Sequence, residues 1–291
     1  MQKTVRERAR AILPERLVST AKHVESAIRR STWFFRPLPN AIIIGAMRSG
    51  TTSLHRWLTM QPEIRGGANK EVHYFDVNWH RGTAWYRSKF SMRKHAVQLE
   101  ATPYYIFHPE IPRRLAATIP HCKLIVLLRN PVDRAYSHYR HSVRNGHEQL
   151  GFRDAIRAEE ERLRDLDLGN LEHVRRHMRF SYLARGRYAE QLERWFAVFP
   201  RAQILILQSE RLFTASEEQL KRVLDFLGVP SCSSLGLRNV NPTAASSLDP
   251  ALRKALDGYF APYNEKLRVL LGREFGWCES ATGTDGSLFC S

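Results

Sequence analysis

Three short stretches carry side chains whose types and spacing could do chemistry. They are a glycine- and hydroxyl-rich loop from Gly45 to Ser53, a charged cluster from Lys70 to Asp76, and Arg129 followed eight residues later by Ser137. The loop reads GAMRSGTTS and is suited to an anion. Gly45 and Gly50 let the backbone turn sharply, and Thr51, Thr52 or Ser53 can open a helix. Several amides and the positive end of that helix then converge on one phosphate or sulfate. The departure from a P-loop is informative. GxxxxGKS/T requires Lys after Gly50, but Thr51 stands there and the cation has moved inward to Arg48. A nucleoside triphosphatase uses that Lys, with Mg²⁺, on the outer phosphates. The loop therefore argues for a donor with one phosphate beside the transferred group, held by Arg48, Ser49, Gly50, Thr51, Thr52 and Ser53. The bland alternative is an ordinary strand-to-helix turn with surface hydroxyls.

In the second stretch a carboxylate, Glu71, lies between Lys70 and His73, where its pKa can be tuned within reach of an acceptor hydroxyl. Taken alone, such a cluster is more often a solvated face. In the third, Arg129 directly follows the apolar run KLIVLL, which places it at the carboxyl end of a strand, where open α/β sheets bind ligands. Its planar fork suits a phosphate, and Ser137 offers a hydroxyl two helical turns on.

The elements that must position these residues are legible as apolar runs. Ile42 to Ile44, Lys123 to Leu128 and Gln203 to Leu207 are unbroken β-type runs, as expected for parallel strands covered on both faces. A shorter strand is expected at Val97 to Leu99, and turn signals fill Gln61 to Gly67. Leu54, Trp57 and Leu58 recur at helical spacing, Pro131 fits the first turn of a helix, and Leu192, Trp195, Phe196 and Phe199 mark a core-facing helix. Leu220 to Leu227 packs another helix, ended by Gly228, and Leu252 to Trp277 a last one. The charge-dense stretch from Gly151 to Arg179 reads as solvated helices. The fold class expected is α/β: a P-loop-like single domain, residues 37–291, with a central parallel sheet flanked by helices. Residues 1–36 read as a basic amphipathic arm.

The chain has 291 residues, 43% of them hydrophobic, enough for one large core. A formal charge of +16 and a pI near 10.1 call for an anionic partner without choosing among nucleotide, acidic acceptor, nucleic acid and membrane surface. No apolar run approaches membrane-span length and no signal-peptide core is seen, so a cytoplasmic enzyme without stable membrane insertion is expected. Cys122, Cys232, Cys278 and Cys290 lack metal-ligand spacing and read as free thiols, with a Cys278–Cys290 pair as the alternative in an oxidising compartment.

Through RSGTTS, KExHxFD and RNPVDRAYS the chain resembles the sulfotransferases that use 3'-phosphoadenosine 5'-phosphosulfate (PAPS). The similarity runs from about Ala41 to the LLGREFGW ending at Trp277, and is greatest to the glucosaminyl 3-O- and N-sulfotransferase branch. The resemblance implies PAPS as donor, no metal and a hydroxyl-bearing acceptor. It implies that Glu71 is the general base and that Arg129 and Ser137 hold the 3' phosphate. Arg48 then stabilises charge on the leaving bridging oxygen, while His73 and Asp76 orient the base or bind acceptor hydroxyls. Lys70, Thr102, Tyr104 and, beside the family-like Gly186-Arg187-Tyr188, Arg185 are expected in the acceptor cleft. Three departures accompany this. The branch usually has Lys where Arg48 stands, and Lys where Ala101 stands. Its donor-closing Lys-Gly loop is missing, Arg238 to Thr243 occupying that region. Two rival readings are a P-loop kinase for a small molecule, which needs Mg²⁺ and ATP, and a basic nucleic-acid-binding module, for which no recognition motif is found.

Overall fold

The computed structural model describes residues 24–92, 97–230 and 248–277. Five strands, β1 (Ala41–Gly45), β2 (Ile64–Gly66), β3 (Val97–Ala101), β4 (Lys123–Leu128) and β5 (Ile204–Gln208), form one sheet in the order β2-β3-β1-β4-β5, with every neighbouring pair parallel. The helices used below are α1 (Thr51–Thr59), α2 (Pro131–Arg144), α3 (Leu171–Phe180), α4 (Tyr188–Phe196), α5 (Ser216–Leu227) and α6 (Pro250–Leu271). The expected α/β fold with a central parallel sheet is observed.

The unbroken apolar strands follow from helices on both faces. Alternate β1 side chains enter two separate cores: Ile42 and Ile44 join Leu124, Val126, Leu192 and Trp195, whereas Ala41 and Ile43 join Leu54, Trp57, Ile125, Leu207 and Val223. Each large aliphatic side chain buried this way contributes about 2 kcal/mol. Trp195 keeps its indole N–H satisfied on the Ile106 carbonyl at 3.1 Å. A third cluster joins Val132 and Ala135 of α2 to Leu256 and Phe260 of α6. Glycine is needed at position 45 by close approach, because a Cβ there would lie 2.3 Å from Ile106 Cγ2.

Two expectations need correction. The Gln61 to Gly67 stretch contains an edge strand, Ile64–Gly66, paired in register with β3. Gly151 to Arg179 is only partly solvated. Glu159 is buried and accepts from the Leu183 and Ala184 amides at 2.7 and 2.8 Å. Ala101 is fully buried in β3 and packs in the core. Residues 24–31 are helical and are followed by a short turn, Trp33–Phe35, after which Arg36 ties the segment down through the Phe90 carbonyl at 2.6 Å. No helix among the described residues is long and apolar enough to cross a membrane. Cys122 is a buried free thiol. Cys232, Cys278, Cys290 and Arg238 to Thr243 lie outside the described residues.

Candidate active site

The loops at the carboxyl ends of β1, β3, β4 and β5 surround a cavity of about 870 Å³. It gathers Arg48, Gly50, Thr51, Thr52, Ser53, Lys70, Glu71, His73, Tyr104, Arg129, Ser137 and Arg185. The three stretches singled out in the sequence therefore share one space. Ser49, Asp76 and Thr102 do not line it.

Gly50, at φ 88°, opens α1, which has no side-chain cap. Its first-turn amides and the positive end of its dipole face the cavity loop. Ser49 is fully buried and its Oγ has no partner in the protein. A buried hydroxyl without a partner beside an uncapped helix start is a combination that an oxyanion satisfies.

The loop and the Arg129–Ser137 stretch are joined directly. Arg48 Nε donates to Ser137 Oγ at 3.0 Å, and Arg129 Nη1 donates to the Arg48 carbonyl at 3.0 Å. Arg48 thus points toward the hydroxyl assigned to the 3' phosphate, a partnership the separate motifs do not reveal. Burial first, then Arg144 and Arg129, lowers the Arg48 pKa. Burial also takes Arg185 down to about 9. Arg48 is thus crowded by two other cations, Arg144 and Arg129. An anion would relieve that crowding.

Across the cavity, Lys70 Nζ contacts Glu71 Oε1 at 2.8 Å, His73 Nε2 lies 3.4 Å from Glu71 Oε2, and His73 Nδ1 lies 2.6 Å from Asp76 Oδ2. His73 therefore bridges the two carboxylates. Burial alone would drive its pKa down, but the hydrogen bonds to Asp76 and Glu71 outweigh it and carry the imidazolium up to about 10. Burial would raise Glu71, yet His73 and Lys70 together hold its carboxyl down to about 2. The Asp76 side chain is removed from solvent and meets the cavity lining through His73.

The backbone of this segment hangs from a buried carboxyl group on β3. Glu100 accepts from Thr102 Oγ1 at 2.8 Å, from Tyr105 Oη at 2.7 Å and from Tyr86 Oη. Tyr105 Oη in turn accepts from the amides of Tyr74 and Phe75 at 2.8 and 3.3 Å, and Thr102 Oγ1 accepts from the His73 amide at 3.4 Å. Thr102, expected as an acceptor-cleft wall, is instead a brace between Glu100 and the segment carrying Glu71. Burial raises the Glu100 pKa to about 7. Tyr104 does line the cavity, with its hydroxyl 2.7 Å from His177 Nδ1 and Arg185 held 5.1 Å above its ring.

Sequence reasoning gave no role to Tyr188, Glu210 and His141. Tyr188 Oη donates to the Arg129 carbonyl at 2.8 Å, and Glu210 Oε1 accepts from the Asn130 amide at 2.8 Å, so both fix the β4–α2 turn. His141 lines the cavity one helical turn after Ser137, a spacing that could have found it. Among the described residues, no group of three or more His, Cys, Asp or Glu side chains is arranged to hold a metal ion.

The pH response of this cluster has a definite sign. His73 contributes its charged contacts fully below its ordinary pKa and loses them as pH rises through about 10. Glu71 contributes above the ordinary carboxylate range and loses its contacts as pH falls through about 2. The charge state of the pair should therefore be constant between about pH 6 and about pH 9. Asp76→Asn removes the hydrogen bond that raises His73 most. We expect His73 titration, followed by imidazole NMR shifts, to move toward neutrality, and kcat/KM to gain a pH-dependent limb below about pH 9. An unchanged His73 titration in that variant would show that Asp76 does not set it.

Comparison with known proteins gives one consistent answer. The Sulfotransferase domain family matches residues 38–242. Mouse heparan sulfate glucosamine 3-O-sulfotransferase 3B1 is 31% identical over 271 residues, covering 83% of this chain and 65% of that protein. The membrane-associated sulfotransferase kil1 of Dictyostelium discoideum is 28% identical, covering 82% of this chain and 66% of that protein. The chain thus spans just under two thirds of the length of these relatives. The crystal structure of a sulfotransferase from Alicyclobacillus acidocaldarius is 30% identical, covers 83% of this chain and 99% of its own, and superposes with a TM-score of 0.69.

Proposed function

Because the chain belongs to the Sulfotransferase domain family, we propose that it transfers a sulfuryl group from PAPS to an acceptor hydroxyl. The observation that carries this reading is the joined pair of cations, Arg48 and Arg129, in one cavity with an uncapped helix start and Glu71. In this proposal the amides of the loop and the hydroxyls of Thr51, Thr52 and Ser53 hold the 5' phosphate, and Arg129 and Ser137 hold the 3' phosphate. Arg48, hydrogen-bonded to Ser137, reaches the donor from the loop side and offsets charge growing on the bridging oxygen. His73 and Lys70 keep Glu71 ionised and aimed.

A carboxylate held this far down is a weak base toward a free alcohol. Proton transfer to Glu71 therefore comes late, once bonding to sulfur has acidified the attacking oxygen. In this order the base needs positioning more than proton affinity, and the contacts of Lys70 and His73 with Glu71 supply it. Lys70, Tyr104 and Arg185 contribute to the acceptor side of the cavity, and the setting proposed is cytoplasmic. Heparan sulfate glucosamine is named for the mouse relative. The buried Ala101, in place of the Lys of that branch, argues that the acceptor here differs from it.

Adenosine 3',5'-bisphosphate should raise the thermal midpoint of the protein without Mg²⁺, since a ligand of the native state stabilises by mass action. Arg129→Ala should remove most of that rise through loss of a charge-assisted contact. Equal stabilisation by ATP, or a strict need for Mg²⁺, would sink the PAPS reading in favour of a kinase.

A further inference from the structure

Outside the cavity, the described N-terminal segment presents apolar side chains to solvent in a cationic setting. Phe34 and Phe35 are 55% and 57% exposed, and Val24 and Ile28, one helical turn apart, are exposed to a similar degree. The Phe34 and Phe35 rings touch at a tilt of 44° with centroids 4.2 Å apart, and Trp33 meets Phe34 edge-on at 6.1 Å. Exposed aromatics gathered in this way mark a contact surface more often than a scattered surface residue does.

The cations around them come from two parts of the chain. Arg87 lies 5.9 Å from the Trp33 ring and its Nε holds the Arg36 carbonyl at 2.7 Å. Lys89 sits 4.2 Å above the Trp85 ring, and Arg81 5.1 Å from it. Burial, followed by Arg30, Arg81 and Arg29, lowers the Lys89 pKa, which places these positive charges within range of one another. Glu25, the acidic side chain of this segment, is taken up by Arg29 at 2.9 Å. Residues 1–23 continue the sign in sequence, with Arg6, Arg8, Arg10 and Arg16.

From this arrangement we infer that the Val24–Arg36 face, with Arg81, Arg87 and Lys89, docks on the surface of an anionic lipid bilayer. Aromatic and aliphatic tips enter the headgroup boundary while Arg and Lys meet lipid phosphates. The charge pattern decides between occupants. A two-fold contact between copies of this chain would bring this net cationic face against an identical one, whose acidic side chain, Glu25, is already paired with Arg29. A nucleic acid would satisfy the cations and stack on the rings but would leave Val24 and Ile28 without apolar cover. An anionic bilayer satisfies both the charges and the aliphatic groups, and needs no membrane-spanning segment. The face adjoins the cavity rim, for the Lys89 carbonyl accepts from the Ala68 amide at 2.8 Å and Lys70, two residues on, lines the cavity.

The test is co-sedimentation of the full chain with phosphatidylcholine vesicles, with and without about one third phosphatidylglycerol. Binding is expected to the anionic vesicles, to be weak on the neutral ones and to fall as salt is raised. The Phe34→Ser/Phe35→Ser and Arg29→Glu/Arg30→Glu variants should each bind at least about tenfold more weakly, with thermal melts like that of the parent. Absence of binding to anionic vesicles, or equal binding by parent and both variants, would overturn the inference. So would retention of full binding by the variants together with its loss on removing residues 1–23. Sedimentation velocity showing a dimer that the Phe34→Ser/Phe35→Ser variant turns into a monomer would assign the face to a second copy. Loss of vesicle binding to a competing oligonucleotide, with no preference for anionic lipid, would assign it to nucleic acid.

Discussion

Glu71→Gln should lower turnover by about two to four orders of magnitude while leaving donor affinity nearly unchanged. Gln keeps the size and shape of Glu but cannot accept a proton. The local contacts sharpen the expectation. Lys70 Nζ can still meet an amide oxygen at the position of Oε1, but the amide NH₂ would then face His73 Nε2, which donates in its protonated form. The variant therefore loses the base and sets two donors against each other on the side toward His73. Titration of adenosine 3',5'-bisphosphate by calorimetry, beside turnover with any accepted substrate, separates the two effects. Near-normal turnover would move the base elsewhere. His73 would be the first alternative, although Asp76 and Glu71 keep it protonated up to about 10 in the parent protein.

Arg48→Ala should differ in kind, weakening donor binding about ten- to a hundredfold and reducing turnover beyond that. Arg48 is the side chain that connects the β1 loop to α2, through Ser137 Oγ at 3.0 Å. Its removal takes away a cation, leaves Ser137 without that donor and loosens the spacing between the two proposed phosphate sites. Arg48→Lys should recover part of the affinity, since it restores charge without the planar fork that reaches Ser137. The informative measurement is the ratio of the loss in donor affinity to the loss in kcat for the two variants. If Arg48→Ala bound adenosine 3',5'-bisphosphate as the parent does, Arg48 would have no ground-state contact with the donor and the proposed arrangement would fail.

Much of this architecture could be read before any coordinates. β1, β4 and β5 are runs of β-branched and aliphatic residues because both faces are covered, and that condition leaves a plain mark in a sequence. β2 left none, since three residues at a sheet edge, Ile64, Arg65 and Gly66, bury only the first. The anion loop was legible for a local reason: its glycines, its hydroxyls and its cation are neighbours in the chain. The Arg48–Ser137 hydrogen bond was not, because its partners are 89 residues apart and neither motif refers to the other. Thr102 shows a further limit. It was expected on the cavity wall, but its hydroxyl turns inward to Glu100, a carboxyl group that no surface pattern would place in a core.

Arg48 and His73 both adopt left-handed backbone conformations, with φ of 70° and 52°. Side chains with a Cβ occupy that region at a cost of about 1 kcal/mol or more, whereas Gly does so freely. The surrounding fold therefore holds two of the proposed working side chains against their local conformational preference. A laboratory selection that rewarded heat resistance alone would favour Gly or Asn at both positions, and would drift toward a sturdier but inactive protein. If Arg48 and His73 work as proposed, the backbone at these two positions trades durability for catalysis.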